Sequence, residues 1–195
     1  MTRQPGWADR AAGVLLGTAA GDALGAGYEF SYPGPDLPIG MIGGGPFDWA
    51  PGEWTDDTAM TLAVARVTAT GADLTSTAGL DAVAAGFGEW FDSHPKDICN
   101  QTRQVLGARD GNAAAMTRTA QQVTGRKGGN GSLMRTAAVG LAYLDDGPGC
   151  GRAAQLVGAL THDDERAVQA CQLWSHAIAQ AVRTGTFSGV RGYLD

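Results

Sequence analysis

Apolar positions along this chain recur at helical rather than strand spacing. Over residues 163–184, Ala167, Ala170, Trp174, Ala177, Ile178 and Ala181 fall on one side, and Glu165, Gln169, Gln172, His176, Gln180 and Arg183 on the other. That pattern predicts a long amphipathic helix with the first set facing inward. Val83, Phe87, Trp90 and Phe91 share a face of a second predicted helix, 78–93, which Thr75-Ser76-Thr77 can cap and His94-Pro95 ends. The run Ala59-Met60-Thr61-Leu62-Ala63-Val64-Ala65 has no clear polar face, so the helix predicted over 56–70 is expected to be buried. A first helix, 8–26, repeats glycine at every fourth position, Gly13, Gly17, Gly21 and Gly25. Each costs about 1 kcal/mol relative to alanine inside a helix, which predicts tight helix packing or a closely approaching ligand along that stripe. Shorter helices are predicted at 99–109, 112–124, 133–145 and 150–160. Residues 31–53 carry Pro33, Pro35, Pro38, Pro46 and Pro51 with Gly43-Gly44-Gly45 and fit no regular element. A loop of that length joining Glu29 to Asp56 is read as a mobile lid. With no alternating strand pattern, the 195 residues read as one all-α domain.

Charge narrows the function classes. Twenty acidic residues against 14 basic ones give a formal charge of −6, which argues against a general nucleic-acid surface. Cys99, Cys150 and Cys171 lie far apart with no CxxC pair, which suits a reducing compartment. Residues 11–21 follow Arg3 and Arg10 but are weakly hydrophobic and run on into Asp22 without a cleavage site. No stretch reaches the ~18 apolar residues of a membrane span. A soluble cytoplasmic protein is expected.

Three short motifs could carry chemistry, and each has a plainer reading. In Thr55-Asp56-Asp57-Thr58, paired carboxylates at the end of a buried helix could hold a divalent cation through oxygen ligands. Equally, Thr55 could cap the helix with the aspartates favourably placed in its first turn. Gly128-Gly129-Asn130-Gly131-Ser132 could cradle an anion with its free N–H groups, or be an interhelical turn with Ser132 as cap. Arg135, one turn further, could bind the same anion or pair with a surface acid. Thr161-His162-Asp163-Asp164 sits at a helix start, where an aspartate cap or a ligand-contacting His162 would each fit.

The order of these motifs is more telling than any one of them. Gly17-Thr18-Ala19-Ala20-Gly21-Asp22-Ala23-Leu24-Gly25 with Glu29, then Trp54-Thr55-Asp56-Asp57-Thr58, then Gly129-Asn130-Gly131-Ser132-Leu133-Met134-Arg135, then Thr161-His162 resembles the ADP-ribosylglycohydrolase family. The resemblance runs from about residue 10 to 184. It implies a multi-helix orthogonal bundle with two magnesium or manganese ions at the bottom of an ADP-ribose cleft. It also implies metal ligation by Thr55, Asp56, Asp57 and Glu29, with Glu29, Asp56 and Asp57 as the catalytic set. Substrate contacts are implied at Gly129, Asn130, Gly131, Ser132 and His162, with Asp22 behind the ligands. The implied reaction hydrolyses the bond at the anomeric carbon of the distal ribose through an oxocarbenium-like transition state, on an ADP-ribosylated protein or a small ADP-ribose conjugate.

The sequence departs from the family pattern in one respect. Family members end with an Asp-x-Asp-Thr motif that supplies further metal ligands, and neither Asp145-Asp146 nor Asp163-Asp164 matches it. The chain is therefore expected to be an incomplete domain lacking the C-terminal helices. It would be impaired as an enzyme, and would oligomerise or be completed by another chain. An ADP-ribose-binding module without turnover, or a helical metal hydrolase of another glycoside or ester, are the alternatives.

Overall fold

Short polar side chains set half of the α-helix starts. A computed structural model describes residues 4–108, 111–125 and 127–191; Arg126 of the glycine-rich turn and Arg109, last residue of the expected 99–109 helix, lie outside them. Among the described residues there are eight helices: α1 (Trp7–Gly25), α2 (Asp56–Ala69), α3 (Thr77–Asp92), α4 (Asn100–Gly107), α5 (Ala113–Gln122), α6 (Ala137–Ala142), α7 (Gly147–Ala159) and α8 (Glu165–Thr184). Ser76 accepts from the Gly79 amide to start α3, Asn112 from Ala115 to start α5, and Asp146 from Gly149 to start α7. Asp164 accepts from the Arg166 and Ala167 amides to start α8, and Gly185, at φ 71°, ends it. Capping of this kind is worth about 1 kcal/mol per helix. Strands are absent among the described residues, and the fold is all-α.

The main core gathers Met60 and Val64 of α2, Val83 and Phe87 of α3, Val105 and Leu106 of α4, Met116 of α5, Val139 of α6, and Val157 and Leu160 beside α7. A smaller cluster packs Trp7, Ala11 and Val14 of α1 against Leu144, Ala179 and Val182. Helix α1 therefore rides on the outside, with Ala23 its one buried residue among those described. Its glycine stripe does not meet the expected close neighbour: a Cβ on Gly13, Gly17, Gly21 or Gly25 would find no atom within 4 Å.

Three sequence expectations need correction. The 133–145 helix shrinks to α6, preceded by a 3-10 turn over Asn130–Ser132, because Arg135 turns inward and Thr136 spends its hydroxyl on the Leu133 carbonyl. Helix α8 buries Ala167, Cys171, Ser175, Ala179 and Val182, whereas Trp174 is 43% exposed. Small residues win that face because the helix sits close: Ser175 Oγ donates to the Thr136 carbonyl at 3.0 Å, and the Ser175 carbonyl abuts Gly140. Helix α2 is not apolar-buried all round either. Its Ala59, Leu62 and Arg66 side opens on a groove of about 600 Å³ shared with Trp54 and Trp90.

Between α1 and α2 the proline-rich segment folds back on itself. Gly44 and Trp49 exchange backbone hydrogen bonds at 2.7 and 2.9 Å. Lys96 lies 4.9 Å over the Trp49 ring and 2.8 Å from Glu53, and the Tyr28 hydroxyl meets both the amide and the carbonyl of Gly40. The segment thus leaves Glu29 next to the start of α2.

Candidate active site

The start of α2 is held from outside its own sequence. Thr55 occupies the cap position but its side chain makes no capping bond; the capping reading of Thr55 is corrected. Instead the Thr55 and Thr58 amides both donate to Asp22 Oδ2 at 2.9 Å, and their hydroxyls donate to Asp22 at 2.7 and 2.6 Å. One carboxylate of α1 thereby satisfies two amides that a helix N-terminus leaves without partners. This arrangement places Asp56 and Asp57 side by side in the first turn of α2.

Their electrostatics show the strain of that placement. Asp56 is 8% exposed, and its carboxyl is pushed up to about 7 by burial, then by the charges of Asp57 and Asp97. Asp57 rises to about 6 through burial and the charge of Asp22. Glu29 rises to about 7 through burial and the charges of Asp97, Asp57 and Asp22, and its Oε2 is buried with no hydrogen-bond partner. Asp97, itself shifted up by burial, is the member that sequence reasoning missed. It lies in the short polar stretch between α3 and α4, where one more acid carries no spacing signal, and only the fold brings its charge to the others.

Glu29 and Asp57 line a cleft of about 540 Å³ with Asp22, the glycine stripe of α1, Asn130, Met134 and the exposed Trp174. A second cavity, about 680 Å³, is lined by Gly128, Gly129, Asn130, Gly131, His162, Cys99 and Gln101. Asn130 lines both. Ser132 is buried and does not cap a helix, and Thr55 is buried against Asp22 rather than opening into the cleft.

The far wall is built around His162. The ring is fully buried, and burial followed by the charge of Arg135 drives its pKa down to about 3, so it is neutral. A Cβ on Gly131 would stand 3.0 Å from His162 Cε1 and 3.1 Å from Cys99 Sγ. Gly131→Val should therefore displace the ring or the loop, destabilising the chain by about 1–3 kcal/mol and weakening ligand capture. Calorimetry with ADP-ribose, compared with wild type, checks this; unchanged affinity would remove Gly131 from the cradle. Arg135 neither reaches the cleft nor pairs with a surface acid. It is wholly buried over Phe87.

Hard oxygen donors and the orphaned Glu29 Oε2 suit Mg²⁺ or Mn²⁺ in kind. Yet no three His, Cys, Asp or Glu side chains among the described residues are grouped so as to hold a metal ion. The described residues by themselves thus do not make up an ion's shell. Among the described residues no helix is long and apolar enough to cross a membrane.

Comparison with known proteins agrees with this layout. The model of the ADP-ribosylglycohydrolase family matches residues 3–194. ADP-ribosylarginine hydrolase Tri1 of Pseudomonas putida is 54% identical over 57 residues, 29% of this chain and 15% of that protein. The ADP-ribosyl-dinitrogen reductase glycohydrolase of Rhodospirillum rubrum is 38% identical over 105 residues, 50% of this chain and 34% of its own. A solved structure described as an ADP-ribosylglycohydrolase-related protein complex aligns with a TM-score of 0.70 at 29% identity, over 96% of this chain and 61% of its own. This chain spans less than two thirds of the length of each of these relatives.

Proposed function

Since the chain belongs to the ADP-ribosylglycohydrolase family, we propose that its cleft takes the ADP-ribose group of a modified protein or small conjugate and hydrolyses the glycosidic bond that holds it. The observation that carries this is Asn130, which lines both the carboxylate cleft and the glycine-loop cavity. A ligand passing Asn130 would set its diphosphate against the amides of the Gly128–Gly131 loop and its distal ribose against Glu29 and Asp57.

Glu29 has the profile of the general base. A carboxyl whose pKa lies near 7 can accept a proton from the attacking water close to neutrality, where a normal glutamate would be too weak a base. The negative wall of Asp56, Asp57 and Asp97 would favour the positive charge that develops on the ribose ring. Asp22 holds the Thr55–Thr58 turn, and so holds Asp57 to the wall. Asp56, Asp57 and Glu29 would supply this chain's share of ligands to Mg²⁺ or Mn²⁺, with Thr55, its hydroxyl given to Asp22, held behind them. Such an ion, when bound, contributes Lewis acidity toward water and the ribose hydroxyls.

The test is release of ADP-ribose from an ADP-ribosylated arginine peptide with Mg²⁺ or Mn²⁺ and again in chelator. Cation-dependent release is the expected result. One observation favours a second reading, binding without turnover: the absence of three grouped metal-holding side chains among the described residues. Micromolar binding of ADP-ribose with no release under any cation would establish that reading and end the first.

A further inference from the structure

Arg135 carries a charge into the core, and among the described residues its hydrogen-bond partners include no carboxylate. Its Nη1 donates to the Gly131 carbonyl at 3.2 Å, and its Nη2 donates to the carbonyls of Val157 and Gly158, at the end of α7, at 2.9 and 3.3 Å. The negative end of a helix dipole thus takes the place of an anion. Nη2 also donates to Thr161 Oγ1 at 2.8 Å. A guanidinium can only donate, so the threonine oxygen is the acceptor there.

That fixes the next bond in the series. The Thr161 hydroxyl has one proton to give, and His162 Nδ1 lies 2.8 Å away, with no other acceptor for it among the described residues. Nδ1 therefore accepts. A neutral imidazole that accepts at Nδ1 carries its hydrogen on Nε2. Nε2 is buried and has no partner, and it faces the glycine loop: a Cβ on Gly129 would stand 3.4 Å from it. The Thr161 carbonyl is itself anchored by Gln101 Nε2 at 2.8 Å, which keeps the pair from rotating away.

We infer that Arg135 and Thr161 are positioning residues that lock His162 as a neutral Nε2–H donor aimed at an acceptor oxygen of a ligand held in the Gly128–Gly131 loop. The identity of that ligand as ADP-ribose rests on the proposed function; the lock itself does not. A neutral donor is what the site requires, since a second cation beside the buried Arg135 would be strongly disfavoured. The unpartnered N–H gains a partner only when an acceptor arrives, so the lock adds to affinity and excludes ligands that present a donor at that point.

The test pairs nitrogen-15 spectroscopy with binding. The chain has three histidines, and loss of one signal in His162→Gln assigns the ring. The metal-free wild type is expected to show His162 protonated on Nε2 alone. In Thr161→Val the Nδ1-protonated form should appear and ADP-ribose affinity fall about tenfold. Thr161→Ser should restore both, which a general loss of packing would not. An Nδ1-protonated ring in the wild type overturns the inference, as does Thr161→Val binding ADP-ribose like the wild type. A wild type with the Nε2–H form that binds no ADP-ribose would sink the proposed ligand and leave the lock standing on its spectrum.

Discussion

Asp22→Ala should lower the stability of the chain by about 3–4 kcal/mol, read as a shift of the urea or thermal unfolding midpoint. The Asp22 carboxylate accepts four hydrogen bonds from Thr55 and Thr58. Bonds to a charged acceptor contribute about 1.5–3 kcal/mol each, and their sum is reduced because all four share one carboxylate and such contributions are not additive. Loss of a cap alone is worth about 1 kcal/mol. Asp22→Asn keeps an acceptor and should lose about half as much. The same substitutions withdraw a negative charge that raises both Asp57 and Glu29, so their titrations should move down. A change below 1 kcal/mol for Asp22→Ala would mean that α1 is not tied to α2 through this side chain.

Asp56→Asn should move stability and activity in opposite directions. The Asp56 carboxyl, ordinarily at 3.8, sits at about 7, which means that its folded surroundings oppose the charge by about 4 kcal/mol at most. An uncharged amide relieves that opposition, and a gain of about 2–4 kcal/mol is expected for the metal-free chain at pH 7.5. The dipole benefit of an acid in the first turn of α2, about 0.3–1 kcal/mol, is too small to reverse the sign. ADP-ribose release should be abolished. Retained turnover, or a loss of stability, would contradict the assignment.

The wild type carries the matching pH dependence. Between pH about 4 and 7 the folded chain holds protons on Glu29, Asp56 and Asp57 that the unfolded chain has released. Stability therefore falls as pH rises through 6 to 7. His162 and His176 act the other way, since each is held below its ordinary value when folded, but the three raised carboxylates together outweigh them. Asp73 is exposed and Glu53 half-buried, and their downward shifts act only at more acid pH. In chelator the unfolding midpoint should be higher at pH 5 than at pH 7.5. Added Mg²⁺ or Mn²⁺ should raise it at pH 7.5 by mass action. A midpoint that climbs from pH 5 to 7.5 in chelator would show that the carboxylates are not mutually strained.

Where local chemistry decides structure, the chain could be read directly. The start of α3 at Ser76, the break at His94-Pro95 and the helical periods all depend on residues within one or two turns of each other. The order of motifs was enough to assign the family. Long-range contacts defeated the rest. Asp22 caps α2 from 33 residues upstream, so Thr55 looked like its own cap. Arg135 looked like a surface or anion-binding cation because nothing near it in sequence announces the end of α7 as its partner. The buried face of α8 runs through Ala167, Cys171, Ser175, Ala179 and Val182, mostly small residues broken by a serine, so the larger Trp174 was read as facing inward and stands in the cleft instead.

The two walls that meet at Asn130 differ in a way that matters for kinetics. On the glycine-loop side, His162 changes charge only near pH 3, and Arg135, though burial lowers it from its ordinary value, keeps its charge. On the carboxylate side, Glu29, Asp56 and Asp57 change between about 6 and 7. On the proposed function, a drop of one pH unit from neutrality should therefore slow ADP-ribose release while leaving ADP-ribose binding nearly constant, so acidification would favour holding over hydrolysis.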